Sequence, residues 1–240
     1  MSNPVDFKTT RWSMILQIGQ TDGETLRSLM EKLILDYWSP VYAYLRRRGH
    51  HAAVAEDLTQ EFFTNLLADN RLHQIQAEGG TFRAYLLTSV RHFAISRYRH
   101  ERAKRRHPGT PLLPIGDLES FLLPATSTGE DPETAFERHW AHRVIELGLE
   151  EMREQCRVRD RLTAFAVFES YIRHKLDQGS SPPRDQLAQT FSISAKRIDN
   201  FLYRGKIAFR KHLKSVLTET VTDSTQVETE LLSLYKNLTD

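Results

Sequence analysis

Leu26, Leu29, Met30, Leu33, Ile34, Tyr37, Val41, Tyr44 and Leu45 return at three- and four-residue steps, the interval that stacks side chains along one side of an α-helix. They predict a helix from about Thr25 to Arg48, bent or divided at Pro40, whose ring removes an N–H donor, and ended by Gly49. A second helix follows "HHAAVA" and carries "EDLTQEFFTNLL", in which Asp57, Gln60, Glu61 and Thr64 fall on one side while Leu58, Phe62, Phe63 and Leu66 spread over the other. The apolar side calls for a core. The acidic side calls for a partner of its own, because the nearest strongly charged stretch, "RHFAISRYRHERAKRR", is basic and is not expected to share that partner. After "ADNRLHQIQAEGGT", loop-like with its paired glycines, a third helix is predicted from about Phe82 to Arg105.

From His107 to Pro132 the chain reads "HPGTPLLPIGDLESFLLPATSTGEDP", with five prolines and three glycines. This is the grammar of a linker, within which "LESFLL" can form a short docked turn. Helical periodicity then resumes, from about Glu133 to Arg157 and from Arg161 to Leu176. After "DQGSSPP" come a short helix opened by Pro182 and Pro183, a break at "FSIS", and a last helix from Ala195 to about Leu217. No alternation of strand length occurs. The expected fold is all-α: two small helical domains, residues 1–106 and 133–217, a flexible linker over 107–132, and a tail over 218–240.

Composition alters this picture little. The 240 residues, 40% hydrophobic and 27% charged, suit structured domains, and a single cysteine, Cys156, excludes an intrachain disulfide and fits a reducing compartment. The start "MSNPVDFKTTRW" has no hydrophobic centre and no apolar run approaches a membrane span, so a cytoplasmic protein without membrane insertion is expected. Charge alters it more, because a net +2 hides a segregation. Arg83 to Arg106 holds eight Arg or Lys against Glu101, and Lys196 to Lys214 holds seven against Asp199. The tail is acidic, with Glu219, Asp223, Glu228, Glu230 and Asp240 against Lys236. Two basic segments predict two contacts with a polyanion; the plainer reading is two solvated helix faces.

The second basic segment lies in "PRDQLAQTFSISAKRIDNFLYRGKIAFRKHL", which has the layout of a helix-turn-helix. Leu187 and Ala188 point inward, Phe191 and Ile193 bracket the turn, Ser194 caps the second helix, and Ile198, Leu202 and Phe201 pack beneath it. Lys196, Arg197, Asn200, Tyr203 and Arg204 then remain available for base edges and phosphates. An ordinary helical hairpin is the alternative. In the first basic segment Phe82, Tyr85, Phe93 and Tyr98 interleave with Arg83, Arg91, Arg97 and Arg99, a pattern that suits unpaired bases stacked on aromatics and equally suits a core.

"AEDLTQEFF", then "GTFRAYLLTSVRHFAISRYRHERAKRR", then a linker and a basic C-terminal helix-turn-helix, resemble the bacterial sigma-70 family in its two-domain extracytoplasmic-function (ECF) form, over about Trp12 to Leu217. The resemblance implies a transcription initiation factor rather than an enzyme, without cofactor or metal, that binds core RNA polymerase and promoter DNA. By matching position, Asp57, Gln60, Glu61 and Thr64 would dock on the β′ clamp helices. Arg83, Tyr85, Thr88, Arg91, His92, Arg97 and Arg99 would read and melt the −10 element, with the "DNRLHQIQAEGG" loop near a flipped base. Lys196, Arg197, Asn200, Tyr203, Arg204 and Lys206 would read the −35 element, in a domain that also meets the β flap. The linker would thread toward the active-site cleft and RNA exit path, its Asp117, Glu119, Glu130 and Asp131 mimicking nucleic acid. An anti-sigma factor is a further partner that the resemblance admits. Many relatives carry Trp, Arg and Asn where this chain has Tyr85, Thr88 and His92, and "QLAQTFSISAKRI" departs from the usual "EIA…S…TV" wording.

A helix-turn-helix regulator acting without polymerase is the competing function, though it leaves "EDLTQEFF" and the linker unexplained. A hydrolase would need His50, His51, Glu56 and Asp57 as metal ligands, and they have no recognised catalytic spacing. Cys156, without a second cysteine, reads as a bystander thiol before a redox switch. In the tail, Val227, Leu231, Leu234, Tyr235 and Leu238 predict an amphipathic helix. It either packs on its own domain or covers the basic face containing Arg197, Arg204 and Lys206 as an autoinhibitor.

Overall fold

The computed structural model describes residues 23–68, 81–105, 130–221 and 223–237. They form α1 (Gly23–Arg47), α2 (Ala52–Ala68), α3 (Phe82–Arg105), α4 (Pro132–Val158), α5 (Leu162–Gln178), α6 (Arg184–Phe191), α7 (Ala195–Thr218) and α8 (Gln226–Lys236). The fold is all-α; outside the helices, the described residues add an isolated antiparallel bridge between Thr81 and Val221. The "DNRLHQIQAEGG" loop, "LESFLL", Asp117 and Glu119 lie outside the described residues. Contacts divide the chain into two compact units, Met1–Trp140 with Thr220–Thr222, and Ala141–Glu219 with Asp223–Asp240.

In the first unit α1 packs on α2 and α3. Pro40 does not divide α1, which runs through it unbroken. A proline forfeits one backbone hydrogen bond, and the buried Tyr37, Val41, Tyr44 and Leu45 on either side offset that loss. Gly49 follows with φ 90°, a left-handed backbone that a side chain would strain. Leu58, Phe62 and Phe63 of α2 and Phe82, Leu86, Val90 and Ala94 of α3 complete the core. The start of α4 belongs here too. Asp131 caps it, its carboxylate accepting the N–H groups of Glu133 and Thr134 at 3.0 and 3.1 Å, while Glu130 accepts from Arg138 at 2.6 Å and Arg47 at 3.4 Å. Glu130 and Asp131, expected to mimic nucleic acid, are thus committed to building the helix start.

In the second unit α7 is the central helix, packed on α5, α6 and α8. The sequence permits this through small residues. A Cβ on Gly205 would lie 2.3 Å from Phe168 Cδ2, and one on Gly148 of α4 would lie 2.9 Å from Leu213 Cδ2, so both glycines hold places where helices approach closely. The turn between α6 and α7 is short. Ser192 takes φ 55°, ψ 41° and its N–H, with that of Ile193, returns to the last carbonyls of α6. Ser194 then opens α7 from an extended conformation, as its position predicted, but its hydroxyl makes no capping hydrogen bond.

Candidate functional site

The expected acidic face on α2 forms in part. Asp57, Gln60 and Thr64 are exposed, on the side away from the buried Leu58, Phe62 and Phe63. The Thr64 hydroxyl donates to the Gln60 carbonyl at 2.8 Å, so its hydrogen is used within the helix. Glu61 is different. It is half-buried and pairs with Arg97 of α3 at 3.2 Å. The acidic and basic stretches, expected to have no partner in common, are at this point partners of each other.

The arginines of α3 divide by helical phase. Arg83, Leu86, Val90, Ala94 and Arg97 recur at three- and four-residue steps on the packed side. Arg83 bonds Glu137 of α4 and lies 4.6 Å from the Trp140 ring centroid, both groups belonging to the same unit. Thr88, His92 and Arg99 occupy an exposed stripe, flanked by half-buried Tyr85 and by Arg91, which pairs with Glu133 at 3.5 Å. Ser96 shares this stripe, and the same phase argument would have added it to the residues singled out from the sequence.

The aromatics divide likewise. Phe82 is fully buried against Tyr37, 5.0 Å between ring centroids, and Phe93 stands edge-on to Phe62 at 5.6 Å within a cluster that continues through Phe63 to Trp38. Phe82 and Phe93 are therefore core groups and are not available for stacking on bases. Tyr85 and Tyr98 remain half-exposed.

These three helices, with one outward face on α2 and another on α3, are the part of the chain that the comparison with known families identifies. Residues 33–104 match the family model for Sigma-70 region 2. The match begins within α1 and ends in the last turn of α3, and it supports the sigma-70 family for this stretch. No curated protein and no solved structure matches the chain. Among the described residues no helix is long and apolar enough to cross a membrane, and no group of three or more His, Cys, Asp or Glu is placed to hold a metal ion.

Beyond the matched stretch, the residues singled out on α7 are exposed as a group: Lys196, Arg197, Asn200, Tyr203, Arg204 and Lys206 all face solvent, over buried Ile198, Gly205 and Phe209. Phe201 and Leu202 are half-buried. Lys196, Asn200 and Tyr203 share one stripe. Arg197 and Arg204 flank it on the side facing the α4–α5 corner, and the Arg197 guanidinium lies 5.4 Å from the Phe201 ring. Lys206 leaves on the other flank, its ammonium 5.1 Å from the Tyr171 ring of α5.

Two further expectations concern this unit. The tail forms α8, and Val227, Leu231 and Leu234 are buried as its periodicity predicts. It packs on α7, where Glu228 bonds Lys214 and lies 3.6 Å from Arg210. Arg197, Arg204 and Lys206 stay exposed, so the autoinhibitory placement is overturned: the apolar stripe of α8 matches the C-terminal half of α7, and its acid follows. Cys156 is half-buried, and its thiol is pushed up by burial against the weaker opposing pull of Arg161 and Arg159. A thiol held protonated in this way is a poor nucleophile.

Proposed function

We propose that this chain is an ECF-type sigma factor, a cytoplasmic subunit that binds core RNA polymerase and directs promoter recognition, melting and initiation. The observation that carries the reading is the coincidence of the Sigma-70 region 2 match with a helical unit presenting two separate outward faces. Asp57, Gln60 and Thr64 on α2 suit the β′ clamp helices, with Glu61 contributing what its pairing with Arg97 leaves free. The stripe of Thr88, His92 and Arg99, with Tyr85 and Arg91 beside it, suits the −10 element. Arg83 and Arg97 act through position, by fixing α3 against Glu137 and Glu61.

In the second unit, α6 and α7 suit a helix-turn-helix on the −35 element. Lys196, Asn200 and Tyr203 would be turned to base edges and Arg197, Arg204 and Lys206 to phosphates. The β flap and an anti-sigma factor are partners that this reading admits.

The test is retention of core polymerase followed by run-off transcription. Asp57→Lys with Gln60→Lys is expected to weaken core binding about tenfold or more, since like charge placed across an interface costs several kcal/mol. Thermal unfolding should be unchanged, because both side chains are exposed. Equal affinity of the variant for core would refute the docking face. A wild-type chain that binds promoter duplex tightly yet neither binds core nor supports run-off synthesis would instead establish the regulator that acts without polymerase.

A further inference from the structure

The flank of α7 that carries Arg197 and Arg204 borders a hollow of about 400 Å³, closed on its far side by the corner where α4 passes into α5. That corner adds Arg159 and Arg161, both exposed, so guanidinium side chains line the hollow from two elements. α5 begins here without a side-chain cap, its N-cap being Arg161, and Thr163 and Ala164 of its first turn line the same wall. The positive end of the helix dipole therefore adds to the arginines. The acid among the lining residues is Asp160, held at φ 52° at the tip of the corner.

Four cations around one space, against the single carboxylate of Asp160, make a locally positive field that attracts an anion. Arginine forks match the oxygens of a phosphate. The position of the hollow also has meaning: a helix lying in the major groove is bordered by the sugar–phosphate strands, and this hollow lies beside the stripe of Lys196, Asn200 and Tyr203 proposed above to face base edges.

We propose that the hollow between the α4–α5 corner and α7 is a phosphate site, with Arg159 and Arg161 extending the DNA-binding surface of α7 onto a backbone phosphodiester. This rests on reading α7 as the DNA-facing helix. A free phosphate has the same chemistry, so the experiment includes both sources.

Full-length chain is titrated onto an end-labelled duplex by fluorescence polarisation across a salt series, and separately onto inorganic phosphate by calorimetry. Removing one phosphate contact lowers the slope of log K against log[salt] by about 0.9. Arg159→Gln with Arg161→Gln is expected to show that loss and a several-fold weaker binding at low salt. Arg159→Lys with Arg161→Lys should keep the slope, and Asp160→Asn should tighten binding. Asparagine tolerates the left-handed backbone, so that third variant does not depend on the fate of the arginines.

If inorganic phosphate binds the wild type and not the Gln variant, the site takes free phosphate as well; if it binds neither, the duplex is the source. An unchanged slope with unchanged phosphate binding, in variants whose thermal unfolding matches wild type, overturns the proposal. Should the wild-type chain bind no duplex at any salt, the DNA reading of α7 fails by itself, and the phosphate titration alone then decides the hollow.

Discussion

Arg83 on α3 is bonded to Glu137 and covered by Trp140, whereas Arg204 on α7 faces an open hollow. Both come from basic runs of similar density, eight cations in one and seven in the other. α3 spends part of its charge on holding its own unit together: Arg83 and Arg97 tie it to Glu137 of α4 and Glu61 of α2. α7 is held chiefly by apolar contacts, Gly205 against Phe168 and Phe209, Leu213 and Leu217 in the core, and in its first half keeps Lys196, Arg197, Arg204 and Lys206 outside. A basic stretch is thus a count of available charge, and the helical phase of each residue decides whether that charge faces a polyanion or a carboxylate of the same chain.

The largest expected effect tests the apolar anchoring of α7. A chain ending after Asp223 loses α8 and with it buried Val227, Leu231 and Leu234, each worth roughly 1.5–3 kcal/mol when fully buried. The second unit should then unfold at markedly lower temperature or urea concentration, and DNA binding by whatever remains folded should not rise, since Arg197, Arg204 and Lys206 are already exposed. A truncated chain of full stability with stronger DNA binding would return α8 to the role of an autoinhibitor.

Helix positions were legible in the sequence because their punctuation is local. The third helix is found at Phe82–Arg105 as expected, and the last at Ala195–Thr218 against an expected end near Leu217. Gly49, the prolines before α6 and the Ser-Ile-Ser turn each act on the backbone within a few residues. The sides of Arg83 and Arg97 were also within reach, since both are in phase with Leu86, Val90 and Ala94. Their partners were not. Glu137 lies 54 residues from Arg83, and no local pattern in the chain says which carboxylate a tertiary fold will bring to an arginine. The same holds for the hollow beside Arg204, which requires the α4–α5 corner to meet α7.

A middle-sized effect separates the two kinds of arginine within α3 itself. Arg83→Ala leaves the half-buried Glu137 without its guanidinium and is expected to destabilise the first unit by about 2 kcal/mol in urea unfolding. Arg99→Ala, on the exposed stripe, should change stability by no more than about 0.5 kcal/mol while weakening promoter opening. Replacing the pair together, Arg83→Met with Glu137→Leu, should recover most of the loss, because apolar groups of similar volume need no partner. Equal stability of Arg83→Ala and Arg99→Ala would erase the distinction between inward and outward charge on α3.

The smallest effect concerns a place where α7 does lend its charge to packing. The Glu228 carboxyl is held below the usual range chiefly by the hydrogen bond from Lys214, with desolvation opposing and the charges of Lys214 and Arg210 assisting. A carboxyl whose folded value is depressed adds stability above its unfolded value and loses it as pH falls through the folded one. The docking of α8 should therefore weaken on acidification, starting in the ordinary glutamate range and finishing below the depressed value. Acid unfolding of the wild type alone cannot isolate this, since Asp223, bonded by the Thr225 N–H, and Glu154, bonded by Arg157, are also held low. The difference between wild type and Glu228→Gln can. It should favour the wild type near neutrality, shrink through the glutamate range, and vanish at lower pH where Glu228 is protonated. It should also shrink when Lys214→Ala is the background, because the principal cause of the shift is then gone and only Arg210 still favours the charged carboxylate. A difference that is absent, or that stays constant with pH, would mean that the charge of Glu228 does not hold α8, leaving that helix docked on α7 by apolar contact.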